Sequence, residues 1–159
     1  GFYSATCELM KFCMEYSYKF SNIHKFILRI HPELNINVLF KKYPELKNYK
    51  NYNIEISKNF DPKLDLLRCN ICLYRQTTLV SQAILYNLKT FYLIDKNNIN
   101  VDSIFLIKRW KEYVYSSNDL KKKIEKLNFK KNKFKDLQYA KKLCKKFYTE
   151  VNYNLINKL

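Results

Sequence analysis

The sequence predicts an α/β fold: a Rossmann-like parallel sheet with helices on both faces and a helical C-terminal tail. Short apolar runs alternate along the chain with segments of helical spacing, which is the pattern of parallel crossover units. The apolar runs are continuous, as expected for strands of a sheet that is covered on both faces. The chain has 159 residues, 47% of them hydrophobic, and can therefore bury one well-covered core.

The first part of the chain predicts a helix, a strand, a second short helix and a second strand. Leu9, Cys13 and Phe20 recur at helical spacing. The next apolar run ends at His31-Pro32, because proline cannot donate to a strand ladder. The predicted elements are a helix over 6–20, a strand over 26–30, a helix over 35–42, a polar loop over 47–53 and a strand over 54–56.

The remaining chain predicts further strand and helix pairs. Asp61-Pro62 is typical of a helix start, with an acidic cap followed by proline at the first helical position. Asn87 suits a left-handed helix C-cap, and Asn118 is expected to cap a later helix. The predicted elements are helices over 62–68, 77–86, 104–110, 118–127, 134–148 and 151–158, strands over 70–74, 90–94 and 113–115, and a polar loop over 95–101. We assign residues 1–127 to the Rossmann-like domain and 128–159 to basic helices that pack on it or extend it.

Composition excludes several kinds of site. The one glycine is Gly1, so neither a P-loop nor a glycine-rich dinucleotide loop is present. The chain has five cysteines, an odd number that favours reduced thiols in a cytoplasm. Cys69-x-x-Cys72 lacks the second ligand pair of a zinc site, and we expect no metal cofactor. No signal peptide or membrane span is visible, which predicts a cytoplasmic protein.

The chain is strongly basic, with a formal net charge of +16. The segment from Ile104 onward contains 16 of the 30 Lys and Arg residues but only five of the 14 acidic residues. Such an excess fits contact with nucleic acid, peripheral contact with the anionic inner face of the plasma membrane, or a solvated helical face in a lysine-rich composition. We expect nucleic acid to be the less favoured partner, because no aromatic set at the spacing of RNA-binding modules appears.

Two predicted loops carry polar chemistry at the carboxyl ends of strands, where parallel sheets bind ligands. His31 can donate to a phosphate oxygen; the alternative is a capping histidine with a backbone partner. Thr77 and Thr78 open a buried helix, and their hydroxyls with the first-turn N–H groups can bind an anion; the alternative is N-capping. The neighbours expected to help bind substrate are Arg29, Pro32 and Glu33 beside His31, and Arg75 and Gln76 beside the threonines.

These motifs resemble the C-terminal, donor-binding domain of GT-B glycosyltransferases. The run Leu28-Arg29-Ile30-His31-Pro32-Glu33, followed later by Thr77-Thr78 and a buried helix, looks most like bacterial sialyltransferases, polysialyltransferases and related capsule enzymes. Those enzymes carry a His-Pro motif and a Ser-Ser or Ser-Thr motif. The resemblance implies that His31 is catalytic and assists departure of the phosphate, and that Thr77 and Thr78 hold it. It also implies a nucleotide-sugar donor, plausibly CMP-sialic acid, a surface glycan acceptor and no metal.

The sequence departs from that family in three ways. A Thr pair replaces the Ser pair, and Asn87-Leu88 stands where Gly and Pro are usual. The N-terminal GT-B half, with its acceptor site and general base, is not in this chain, which begins at Gly1 and is expected to be a fragment. The alternatives are a GT-B relative with a UDP-sugar or CDP-linked donor, or a basic nucleic-acid or membrane-surface module without catalysis.

Overall fold

A computed structural model describes residues 2–94, 100–127 and 134–147, and it confirms an α/β fold. Helices and strands alternate as the apolar pattern predicts. The helices are α1 (Phe2–Lys19), α2 (Ile36–Lys42), α3 (Pro62–Leu66), α4 (Leu79–Leu85), α5 (Ser117–Glu125) and α6 (Phe134–Phe147), with a 3-10 helix over Pro44–Tyr52. The strands are β1 (Phe26–Leu28), β2 (Ile54–Ile56), β3 (Ile71–Tyr74), β4 (Lys89–Leu93) and β5 (Lys111–Val114).

All the described strand pairs are parallel, but their hydrogen bonds divide them into two small sheets. One sheet has the order β1-β2 and the other the order β3-β4-β5. Phe26 lies opposite Ile54 in the first sheet, and Tyr74 lies opposite Tyr92 in the second. The parallel pairing agrees with the predicted α/β class, while a single Rossmann-like sheet stays a prediction. β1 and β2 have only three residues each, so each offers few backbone groups for further pairing.

Helices cover both faces of the three-stranded sheet, as predicted. On one face Tyr92 of β4 packs with Ile84 of α4 and Ala140 of α6. On the other face Phe91 packs with Tyr16 of α1 and, in the same cluster, with α5. Neighbouring residues of β4 thus point to opposite faces, as strand geometry requires. β4 is the central strand of this sheet, and all five of its residues are buried between the two helical layers.

Helix α1 joins the two sheets. Its Met10 is fully buried with Leu28, Leu39 and Leu46 over the β1-β2 sheet. Two turns further along α1, Tyr16 is buried against the three-stranded sheet. Helix α1 therefore contributes buried side chains to the core over both sheets. α6 packs on α4, as expected for a helix that extends the core, while the boundary placed at residue 128 lies outside the described residues and stays a prediction.

Local sequence explains most helix ends. The Asp61 side chain accepts a hydrogen bond from the Lys63 backbone N–H at 2.8 Å, which confirms the acidic cap. Asn87 has φ of 70°, which confirms the left-handed C-cap that follows α4. The capping role expected for Asn118 is wrong. Ser116 caps α5 instead, accepting from the Asp119 N–H at 3.2 Å.

Several element boundaries differ from the sequence prediction. The predicted polar loop over 47–53 is mostly part of a 3-10 helix that begins at Pro44 and buries Leu46. The predicted helix over 104–110 is wrong, because those residues form turns. Their buried side chains at positions 104, 107 and 110 enter the core between α4 and α6. The first strand ends at Leu28 rather than at position 30, and the helix predicted over 151–158 lies outside the described residues.

Candidate functional site

The loop after β1 carries Arg29, which was expected to help bind substrate beside His31. The strand ends at Leu28, so the alternation of strand residues does not orient these two side chains. The Arg29 guanidinium instead contacts the Asp65 carboxylate at 2.5 Å and donates to the Asn59 carbonyl at 3.0 Å. This contact ties the loop after β1 to helix α3. Arg29 thus holds the end of the first sheet together.

Asp65 is the centre of that network and is nearly buried, with 4% of its side chain exposed. Ser57 donates to it at 2.5 Å and the Asn59 amide at 2.6 Å. Burial opposes ionisation, but the hydrogen bonds from Ser57, Arg29 and Asn59 outweigh it and lower the pKa of Asp65. Asp65 therefore stays ionised and keeps its Arg29 partner.

His31 lies on an exposed turn together with Pro32 and Glu33. Its Nδ1 accepts a hydrogen bond from the Glu33 backbone N–H at 3.3 Å. This is the backbone-capping contact that was left open as the alternative role. It fixes the orientation of an imidazole that faces solvent at the carboxyl end of β1.

The loop after β3 carries Arg75, Gln76, Thr77 and Thr78. Arg75 is 8% exposed and forms an ion pair with Glu8 of α1, so its guanidinium anchors the loop to that helix. Gln76 adopts a left-handed conformation with φ of 47°. Thr78 is the N-cap residue of α4, is exposed and makes no capping bond through its side chain. Thr77 Oγ1 instead accepts from the backbone N–H at position 79 at 3.3 Å.

The N-terminal half of α1 contacts both loops. The Tyr3 hydroxyl accepts from the Asn35 backbone N–H at 3.3 Å, just beyond the His31 turn. Glu8, little more than one turn along the helix, pairs with Arg75. The loops that follow β1 and β3 are therefore both tied to the first half of α1.

A shallow cavity of about 330 Å³, open to solvent, lies at the carboxyl ends of β4 and β5. It was not found from the sequence. The sequence contains one signal that could have revealed this cavity: tyrosines recur at or just beyond the ends of three successive strands. The residues that line it are Tyr92, Ile94, Asn100, Asp102, Phe105, Tyr113 and Tyr115. We refer to it as the tyrosine cavity.

One of the residues that line the tyrosine cavity, Asp102, belongs to a buried ion pair. Asp102 pairs with Lys111, and both side chains are more than nine-tenths buried. Asp102 also accepts from the Tyr74 hydroxyl at 2.9 Å and from the Ile104 backbone N–H at 3.1 Å. Burial and the neighbouring Asp102 charge both raise the pKa of Tyr74. Tyr74 is therefore a neutral hydrogen-bond donor, and the ion pair carries no net charge.

Tyr92 presents a hydroxyl with an unusual environment. The residue is 1% exposed, and its hydroxyl has no hydrogen-bond partner within residues 2–94, 100–127 and 134–147. Its ring packs edge-on against Tyr74 at 5.3 Å and Tyr113 at 5.9 Å between ring centroids. Burial is the main cause that raises the pKa of the Tyr92 hydroxyl, and the negative charge of Asp102 adds to it. The positive charge of Arg75 acts in the opposite direction. Both charges therefore act on the Tyr92 hydroxyl.

Ser103 connects the tyrosine cavity to that loop. Its hydroxyl donates to the Thr77 carbonyl at 2.5 Å. Ser103 follows Asp102 directly in the chain, so the wall of the cavity and the Thr77-Thr78 turn are adjacent. The structure thus brings the sequence-predicted threonines beside a cavity that the sequence did not reveal.

The described residues contain no group of three or more His, Cys, Asp or Glu side chains placed to hold a metal ion. The cysteines are free thiols. Burial raises the pKa of Cys72 to about 12, which makes it a poor metal ligand and nucleophile. The basic run Lys121-Lys122-Lys123 is partly compensated, since Lys121 pairs with Glu125 and Lys123 with Asp119.

No protein-family model, curated protein or solved structure matches this chain. Among the described helices, none combines the length and the apolar character needed to cross a membrane. The observations that bear on function are therefore those of the chain itself: the two loops along α1, the tyrosine cavity and the Ser103 link between cavity and loop.

Proposed function

We propose that this chain is the donor-binding domain of a glycosyltransferase that takes a nucleotide sugar, with CMP-sialic acid as the first donor to test. The observation that carries the proposal is the adjacency of the Thr77-Thr78 turn and the tyrosine cavity, joined by Ser103. Ligands of parallel α/β proteins bind at this edge of the sheet. A concave, largely aromatic cavity with a few polar groups is the usual form of a small-ligand site.

In this proposal the donor phosphate lies between the two loops that α1 holds. The exposed Thr78 hydroxyl binds a phosphate oxygen. His31 donates to the phosphate and stabilises its charge as the glycosidic bond breaks. Glu33 contributes the backbone N–H that orients His31. Pro32 shapes the turn between them.

Arg29 and Arg75 have a positioning role in this proposal. Each guanidinium is engaged by a carboxylate of the chain, Asp65 for Arg29 and Glu8 for Arg75. They hold the two loops in place, and the phosphate contacts come from His31, Gln76 and Thr78. A second GT-B half would supply the glycan acceptor site and the general base, so the described domain alone binds donor.

Calorimetric titration with CMP, UDP, GDP and CMP-sialic acid tests the proposal. We expect His31→Ala to weaken binding of the nucleotide by about tenfold, which corresponds to the loss of one charge-assisted hydrogen bond. The matched control is His24→Gln, because His24 is the other histidine and packs against Tyr16 away from both loops. A melting curve for each variant excludes unfolding as the cause.

Four outcomes decide the proposal. Selective binding of CMP that His31→Ala weakens supports it. Selective binding of UDP retains a donor-binding domain but replaces CMP-sialic acid with a UDP-sugar. Equal affinity of wild type and His31→Ala for every nucleotide contradicts the role of His31, and an absence of nucleotide binding by the folded chain contradicts the function.

A further inference from the structure

The rim of the tyrosine cavity presents aromatic rings to solvent. Tyr113, Tyr115 and Phe105 are 41%, 54% and 66% exposed. Large aromatic side chains in a folded domain are usually more deeply buried. Exposed rings around a concavity offer faces on which a planar heteroaromatic ring can stack, and such stacking is available to every nucleobase. The rim therefore favours a flat ring as ligand.

The inner wall of the cavity offers a specific polar contact. Tyr92 lines the cavity, is nearly completely buried, and has a hydroxyl without a partner in the described part of the chain. Buried hydroxyls in folded proteins are normally hydrogen-bonded, so an exception requires an explanation. A hydrogen-bonding edge of a ligand supplies one. The Tyr92 hydroxyl is itself covered, so a ligand reaches it only if a neighbouring side chain moves; Tyr113, whose ring packs edge-on against Tyr92, is exposed.

The charge balance of the wall argues for a neutral group. The carboxylate of Asp102 is compensated by Lys111, and its oxygens accept further hydrogen bonds from Tyr74 and Ile104. A cation such as a quaternary ammonium group, which aromatic cages also bind, would find no uncompensated carboxylate here and would meet a chain of net charge +16. A neutral ring that is attached to an anionic phosphate satisfies both conditions.

We infer that the tyrosine cavity binds the nucleobase of the donor nucleotide. The base stacks on Tyr113 or Tyr115 and hydrogen-bonds to Tyr92, while the ribose and phosphate extend past Ser103 toward Thr78. A cavity of about 330 Å³ suits a base with part of its ribose rather than an entire nucleotide sugar. This inference deepens the proposed function and rests on it for the choice of a nucleotide as ligand.

Free nucleosides test the inference, because they lack the phosphate that the loops would bind. Cytidine, uridine, guanosine and adenosine are titrated into the full chain, with tetramethylammonium as a competing probe. We expect Tyr92→Phe, which removes only the hydroxyl, to weaken the preferred nucleoside by about tenfold. Tyr115→Ala removes an exposed stacking ring and is expected to weaken all four. The control is Tyr18→Phe, a surface tyrosine on α1 that is 80% exposed.

Weakened nucleoside binding in Tyr92→Phe and Tyr115→Ala, with unchanged binding in Tyr18→Phe, supports the inference. Nucleotide-sugar binding without nucleoside binding, or with unchanged affinity in both cavity variants, overturns it while the proposed donor site survives. Nucleoside binding without recognition of any nucleotide sugar retains the base site and contradicts the transferase. Displacement of the nucleoside by tetramethylammonium would identify a cation site and overturn the assignment to a base.

Discussion

At the scale of single residues, Tyr74 and Tyr92 show that the same side chain can have two different roles. They lie opposite each other on β3 and β4 and pack edge-on. Tyr74 donates to a buried carboxylate, whereas the Tyr92 hydroxyl has no partner among the described residues. Hydrogen bonds stabilise the folded state, and an unpartnered buried hydroxyl does not. The Tyr74 hydroxyl is therefore structural, and that of Tyr92 is the hydroxyl that the inferred base site uses.

The matched substitutions Tyr74→Phe and Tyr92→Phe test this difference. We expect Tyr74→Phe to lower the free energy of unfolding by about 2 kcal/mol, because it removes a hydrogen bond to a charged group. We expect Tyr92→Phe to leave it unchanged or to raise it slightly. Urea unfolding curves measure both, and an equal loss in the two variants would show that the Tyr92 hydroxyl is already satisfied.

Asp65 provides the second prediction at this scale. Replacing it by Ala leaves the Arg29 guanidinium without its carboxylate, and breaking a buried ion pair in this way costs about 3 kcal/mol of unfolding free energy. Glu125→Ala is the control, because it removes an exposed pair with Lys121 that contributes less than about 0.5 kcal/mol. Similar losses in thermal unfolding experiments on the two variants would contradict the structural role of Arg29.

The same carboxylate predicts how stability depends on pH. The pKa of Asp65 is lower in the folded state than its ordinary value of 3.8. The unfolded chain therefore binds the proton first, so the stabilisation is present above pH 3.8 and is lost as the pH falls toward the folded pKa. Melting temperatures measured below about pH 4 should fall more steeply for the wild type than for Asp65→Ala. Parallel curves would show that Asp65 contributes nothing to acid sensitivity.

At the scale of elements, the start of α5 distinguishes the structure from the sequence prediction. The structure assigns the cap to Ser116, which accepts from the Asp119 N–H, and places Asn118 inside the first turn. We expect Ser116→Ala to cost about 1 kcal/mol of unfolding free energy. Asn118→Ala should change it by less than about 0.5 kcal/mol. A larger loss of unfolding free energy for Asn118→Ala than for Ser116→Ala in chemical unfolding would show that Asn118 is the cap.

Elements were predicted well where a local signal determines them. Asp61-Pro62 and Asn87 determine helix ends through side-chain capping and the left-handed conformation, which need only neighbouring residues. The helix predicted over 104–110 was wrong because the apolar residues of this segment are spaced like one face of a helix. In the structure these side chains enter the core from turns. Position 46 is buried within a polar stretch, and that burial depends on contacts with α1 that the local sequence does not show.

At the scale of the whole molecule, the parallel arrangement and the two helical layers follow from continuous apolar strands alternating with helices. The division into two sheets does not follow from this pattern, because it depends on how far each strand extends. The tyrosine cavity depends on residues that are distant in the chain, such as Tyr92, Asp102 and Tyr113. Sequence spacing located the threonine turn but gave no indication of what lies beside it.

The net charge of +16 gives a prediction that separates a base site from a basic binding module. A neutral nucleoside in a cavity with a compensated ion pair should bind with the same affinity between about 50 and 200 mM salt. A module that binds nucleic acid through its lysines would lose affinity for an oligonucleotide by orders of magnitude over that range. Nucleoside affinity that falls as steeply as oligonucleotide affinity would contradict the cavity as the binding site.

The most direct test of the central claim is a two-dimensional amide NMR titration of the chain with CMP. We expect the largest shifts at residues 76–78, with His31 and Tyr113 responding over the same concentration range, because one ligand would span the two loops and the tyrosine cavity. Shifts confined to the lysine-rich helices α5 and α6, or no shift at about millimolar CMP, would contradict a donor nucleotide site at the carboxyl end of these sheets.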